Sequence, residues 1–150
     1  MILLDTNVLV YAADQDSPRY VQCHEVVVRA LGREIDAVLV PQVLLEFYAT
    51  ITGTRARRPL APAAGWRLVE ALGAGLPVLE VHRASLDLLG GMVRRQNLAG
   101  PRIFNLFLVA QMRTHRVRDI CTDNARDFRQ LGVTALSPED VIRRVGAKQP

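Results

Sequence analysis

Lysine is almost missing from this 150-residue chain: Lys148 stands alone, and every other basic residue is an arginine. A guanidinium is a planar fork of donors that matches phosphate, which a point-charge ammonium does not. The formal charge of +4 is therefore compatible with a nucleic-acid partner, although a GC-rich genome also favours arginine codons. Cysteine is scarce as well. Cys23 and Cys121 have no Cys-x-x-Cys spacing, so a thiolate metal site is not indicated, and their apolar neighbours point to core packing. No apolar run approaches the roughly 20 residues of a membrane helix. Asp5 interrupts the opening Met1–Leu4 too early for a signal peptide. Repeats, low-complexity tracts and linkers are absent, which leaves one domain over residues 1–150. With 49% hydrophobic residues, a disordered chain is excluded. The expectation is a soluble, cytoplasmic protein with no membrane segment.

What is present alternates short apolar runs with longer helical ones. Strands are expected at Ile2–Leu4, Ala37–Val40, Pro77–Val81, Asp119–Thr122 and Val133–Leu136. Ser17-Pro18 reads as a helix start leading into Val21–Leu31. Further helices are expected from Pro41 to about Ile51, over Ala63–Leu72 with Gly73 and Gly75 as the stop, over Ala84–Arg95, and over Ile103–Met112. A short helix at Asn124–Leu131 precedes a terminal one capped by Ser137-Pro138-Glu139-Asp140. Such alternation implies an α/β fold, a mainly parallel sheet covered by helices on both faces. In these sheets ligands bind beyond the carboxyl ends of the strands.

Three carboxylates stand where an ordinary core does not put them. Asp5 and Asp123 each follow a strand directly, so both project from that ligand-binding edge. Glu46 lies inside the apolar helix Val43–Tyr48. Asn105 is a polar residue in a helix apolar almost all round, which implies a buried amide in need of partners. Each has a plain structural explanation: Asp5 and Asp123 as helix caps or turn residues, Glu46 reaching solvent, Asn105 a satisfied core amide. Together they call for a hard cation or a shared proton, because clustered carboxylates repel, and Mg²⁺ or Mn²⁺ suits an all-oxygen site.

The opening Leu3-Leu4-Asp5-Thr6-Asn7, Glu46 in its apolar helix, and the late Thr122-Asp123-x-x-x-Asp127-Phe128 resemble the PIN-domain nucleases. The length and element order look like the VapC toxins of toxin–antitoxin pairs, and the resemblance spans essentially the whole chain. It implies a three-layer α/β/α fold, with Asp5, Glu46 and Asp123 as acids of a metal pocket. Asn7 and Thr122 fall where polar residues support such a pocket. Asp127 is an auxiliary acid or a first-turn charge favourable to the helix dipole. Asn105 departs from the pattern, which has Asp here within Gly100-x-Arg102-Ile103-x-Asn105. An amide keeps the shape and a carbonyl ligand but loses the charge. A slower or inactive enzyme, a more tightly held metal such as Mn²⁺, and an introduced substitution all fit that departure.

The resulting expectation is metal-dependent hydrolysis of a structured RNA, transfer or ribosomal, by a toxin that a cognate antitoxin neutralises. Arg55, Arg57, Arg58 and Arg102 are candidate phosphate contacts, with a solvated charged loop as the plain explanation for the first three. His24, His82 and His115 are scattered and expected outside the chemistry. An apolar, helix-rich chain with few aromatics is consistent with an antitoxin partner and with a homodimer, which is the expected assembly. The alternative is a catalytically inactive PIN fold that binds RNA or antitoxin.

Overall fold

The computed structural model describes residues 1–96 and 99–147. Four short strands form one sheet: β1 (Ile2–Leu4), β2 (Ala37–Val38), β3 (Asp119–Cys121) and β4 (Thr134–Leu136). Their order is β2-β1-β3-β4, and every pairing is parallel. β1 and β3 are the inner strands, in register Ile2↔Asp119 to Leu4↔Cys121. Parallel neighbours need crossover connections, and helices supply them. α1 (Thr6–Ala13) and α2 (Tyr20–Leu31) link β1 to β2; α3 (Pro41–Thr52), α4 (Pro62–Gly75), α5 (Arg83–Gln96) and α6 (Arg102–Thr114) link β2 to β3; a 3-10 turn links β3 to β4, and α7 (Pro138–Gly146) follows the last strand. The result is the expected three-layer α/β/α architecture, with α1 packed on α2 and α3, α5 on α6, and α2 on α7.

The inner strands are wholly apolar toward the core: Leu3, Leu4, Ile120 and Cys121 are fully buried. Cys23 is equally buried, and both thiols are free. Burial raises Cys23 to about 11 and pushes Cys121 higher still, so both stay protonated and serve as packing. The close approach of α4 to α3 depends on Gly65, where an added Cβ would come 2.5 Å from the Thr52 methyl.

Several expectations are corrected. Residues 6–13 form α1, a helix the sequence did not announce because Val8, Val10 and Tyr11 read as strand formers. Pro77–Val81 is not a strand. A single bridge, Leu39↔Val78, joins it to the sheet; Val78 and Val81 are exposed there, and Pro77 has no N–H for a ladder. α2 starts at Tyr20 with Arg19 as its N-cap, while Ser17 Oγ accepts from Arg19 N at 3.2 Å in the turn before it. α4 runs through Gly73 to Gly75. The short helix after β3 is one 3-10 turn, Ala125–Phe128. The first turn of α6 is not core either: Ile103 is 40% and Phe104 54% exposed, and Asn105 is half-buried.

Candidate functional site

The ladder between β1 and β3 runs one step past the strands, Asp5 N donating to Cys121 O at 3.0 Å. That step brings Asp5 against Thr122, the residue before Asp123. Asp5 is also the N-cap of α1, its Oδ1 accepting from Thr6 N at 2.8 Å. Its Oδ2 accepts from Thr122 Oγ1 at 2.6 Å and from Asn7 Nδ2 at 2.7 Å. Asn7 spans the two strand ends: Nδ2 reaches Thr122 Oγ1 at 3.0 Å, and Oδ1 accepts from Asp123 N at 3.0 Å. Asp5 is only 9% exposed. Burial pushes its carboxyl above the ordinary 3.8; donation from Thr122 and Thr6 opposes this, the Glu46 charge adds to the rise, and Asn7 opposes it. A buried carboxylate with a second acid nearby favours a compensating cation.

Glu46, half-buried on α3, is oriented from two sides. Thr6 Oγ1 donates to its Oε2 at 3.1 Å and Gln42 Nε2 to its Oε1 at 2.8 Å. Asp123 meets a charge supplied by the chain itself, Arg19 Nε lying 3.1 Å from its Oδ1 and Arg19 Nη1 3.8 Å from Glu139 Oε1. Asn105 donates from Nδ2 to Asp127 Oδ2 at 3.3 Å, the same oxygen that takes Asn124 Nδ2 at 2.7 Å. Asn124 N in turn donates to Thr122 Oγ1 at 3.0 Å. Asp127 therefore both occupies the first turn of its 3-10 segment and binds Asn105.

Asp5, Asn7, Thr122 and Asp123 thus share one hydrogen-bond network, with Glu46 joined through Thr6 and the Asn105–Asp127 pair joined through Asn124. Arg102 lines a cleft of about 350 Å³ with Asn105, Asp127 and Arg129. Arg55, Arg57 and Arg58 lie elsewhere, around a groove of about 450 Å³ beside Asp14 and Asp16. They stand one α1 length from Asp5, roughly 12 Å at 1.5 Å per residue, and Arg58 is paired with Asp16 at 3.2 Å. His82 and His115 pack ring on ring with centroids 4.8 Å apart, and His115 Nε2 meets the Glu80 carbonyl at 2.7 Å.

Several polar residues were not foreseen from the sequence, among them Asn124, which bridges Thr122 and Asp127. Gln42 stands one helical turn before Glu46, a spacing that could have exposed it. Arg129 lies just past the 3-10 turn. Arg19 reaches Asp123 only through tertiary packing and carries no local signal.

Among the described residues, no three His, Cys, Asp or Glu side chains converge tightly enough to hold a metal ion. The donors along this edge are nonetheless all oxygen, which suits a hard dication: the carboxylates of Asp5, Glu46 and Asp123, and the Asn105 carbonyl. The Asn105 nitrogen is committed to Asp127, so its oxygen is the atom left to face a cation. By donor chemistry the residues fit Mg²⁺ or Mn²⁺.

Comparison with known proteins agrees with the fold. No curated protein sequence matches the chain. Among solved structures it is similar to a DNA-bound VapBC from Salmonella typhimurium, at 19% identity and a TM-score of 0.66, covering 92% of this chain and 99% of that one. It is similar to FitAcB from Neisseria gonorrhoeae, at 17% identity and a TM-score of 0.64, covering 93% and 99%. It is also similar to VapC20 of Mycobacterium tuberculosis, a sarcin–ricin loop cleaving toxin, at 16% identity and a TM-score of 0.53, covering 80% and 87%. The family model of the PIN domain matches residues 2–133, and with that match over most of its length the chain belongs to the PIN-domain family.

Proposed function

We propose that this chain is a divalent-metal-dependent endoribonuclease of the toxin–antitoxin kind, acting on a structured RNA and neutralised by a cognate antitoxin. The observation that carries the reading is the bond from Thr122 to Asp5 at the carboxyl ends of β3 and β1, with Asp123 tied to the same edge through Asn7 and Glu46 tied to Asp5 through Thr6. Solved relatives of this fold include toxin–antitoxin complexes and a sarcin–ricin loop cleaving toxin, which supports RNA as the substrate class and a protein as the inhibitor.

Asp5, Glu46, Asp123 and Asn105 would hold Mg²⁺ or Mn²⁺. When bound, such an ion activates water and offsets charge on the phosphate oxygens. The chain's own residues do the rest. Thr6, Asn7 and Thr122 keep the Asp5 and Glu46 oxygens oriented, and Arg102 and Arg129 line the adjoining cleft, where a guanidinium can grip a flanking phosphate. No histidine takes part.

Asn105 supports a second reading, an RNA- or antitoxin-binding PIN fold without catalysis, because the amide brings no charge to the donor set. The two separate when the purified chain and its Asn105→Asp variant meet a transfer- and ribosomal-RNA pool in Mg²⁺, Mn²⁺ or EDTA. Cleavage by the variant, abolished by EDTA and weak in the parent, supports a nuclease slowed at residue 105. Equal cleavage by both makes Asn105 a tolerated ligand. RNA retention with no cleavage by either supports the binding reading.

A further inference from the structure

Glu46 stands at the end of a file of side-chain amides that packing alone does not require. Gln111 of α6 is fully buried. Its Nε2 donates to Gln42 Oε1 at 3.0 Å and to the Phe107 carbonyl at 3.4 Å, while its Oε1 has no partner. Gln42 Nε2 then donates to Glu46 Oε1 at 2.8 Å and to the Phe104 carbonyl at 3.0 Å. Both Gln42 hydrogens are thus spent on a carboxylate and a carbonyl, neither of which can donate. Its oxygen must face Gln111, and Gln111 must offer nitrogen. The file has one possible direction, from the core toward the acid.

A buried, unpaired carbonyl leaves its desolvation penalty uncompensated. Methionine has a similar length and fills such space without that cost. Gln111 is therefore a poorer core residue than an apolar one of the same size, and the contact with Gln42 is what it supplies instead. The file also grips α6 at Phe104 and Gln111, roughly two turns apart on the face toward α3. Phe104 immediately precedes Asn105.

We infer that Gln42 and Gln111 are positioning residues, which aim the Glu46 carboxylate and fix the α3–α6 spacing so that Glu46 and Asn105 meet a divalent cation together. This rests on the reading of Glu46 and Asn105 as cation donors. Gln42 acts directly on the acid, and Gln111 acts through Gln42.

The test uses the full chain, Mn²⁺ alone as the probe in titration calorimetry, and metal-free thermal unfolding. The variants are Gln42→Met, Gln111→Met and the double. Gln42→Met is expected to weaken Mn²⁺ binding by roughly 10-fold or more, the usual effect of losing a partner that orients a ligand. Gln111→Met loses less, and its melting temperature equals or exceeds that of the parent. The double variant is no weaker than Gln42→Met, since residues acting in series are not additive. Parent-like affinity in both single variants overturns the inference. So do fully additive losses, or a melting temperature for Gln111→Met that falls in step with affinity. If Gln111→Met does not fold, the half-buried Gln42 carries the test alone. A parent that binds no Mn²⁺ overturns the metal reading and this inference with it. A parent that binds, with unaffected variants, sinks the relay only.

Discussion

Residue 105 decides how much negative charge the pocket holds. With Asn, the contact to Asp127 at 3.3 Å is a hydrogen bond; with Asp it sets two carboxylates against each other. Asn105→Asp is expected to lower metal-free stability by about 0.5–1 kcal/mol, the scale of a partly exposed charge contact. Mn²⁺ should then stabilise the variant more than the parent, because a ligand that binds only the folded state raises its stability. Urea unfolding with and without Mn²⁺ measures both, and equal metal-induced gains would argue against residue 105 as a ligand. Arg19 presents the opposite case. Its guanidinium already lies on Asp123, so Arg19→Met removes a competitor for that carboxylate. A gain in Mn²⁺ affinity of about two- to fivefold is expected, shrinking at high salt, as for a pair worth roughly 0.5–1 kcal/mol. Unchanged affinity would mean that Asp123 does not meet the ion.

At the scale of elements, α7 offers the cleanest case because its cap is written in consecutive residues. Ser137 Oγ accepts from Asp140 N at 3.1 Å, and Asp140 Oδ2 accepts from Ser137 Oγ at 2.8 Å and from Ser137 N at 3.4 Å. The bond from the Ser137 side chain is the main cause that lowers Asp140 below its ordinary 3.8, with the Ser137 backbone next. A lowered folded value stabilises above the unfolded one and is lost as pH falls through the folded one. Ser137→Ala is therefore expected to cost about 1 kcal/mol at neutral pH and to flatten acid unfolding below about pH 4. A parent-like acid transition in that variant would remove the cap from the account. This cap was legible in the sequence because every partner lies within three residues. So were β1, Asp5 and Asp123 at strand ends, since a short apolar run followed by a carboxylate is a local pattern. α1 was not, because the β-branched Val8 and Val10 with Tyr11 outvote its cap until Asp5 is seen accepting from Thr6. The false strand at Pro77–Val81 shows the same limit: its residues have the right propensities, but nothing nearby reveals that β2 is the sheet's outer strand, touched there by one bridge alone. Arg19 on Asp123 and Gln111 on Gln42 were hidden for a related reason, since only the packing of separate helices creates those contacts.

Across the whole molecule, charge and topology work on different scales. On the proposed reading, a net +4 chain whose cations are nearly all arginine would bind a polyanion mainly by displacing counterions. RNA affinity in EDTA, where no cleavage occurs, should fall steeply as salt rises from 50 to 200 mM. Arg102→Gln and Arg129→Gln should each reduce the slope of log affinity against log salt by roughly 0.7, the value for one single-strand phosphate contact. Loss of affinity without a change in slope would mean that these residues touch something other than phosphate.

The bond from Thr122 to Asp5 spans 117 residues, and this long reach sets a timetable for the growing polypeptide. Asp5 leaves the ribosome 117 residues ahead of Thr122, whose strand completes its surroundings. At 5–20 residues per second that interval is about 6–23 s. Throughout it, α1 lacks its Thr122 neighbour, and the Asp5 carboxylate stays in water rather than in a pocket. The acidic edge therefore forms only once Thr122 has been made, and a partner that recognises the assembled edge meets it no earlier.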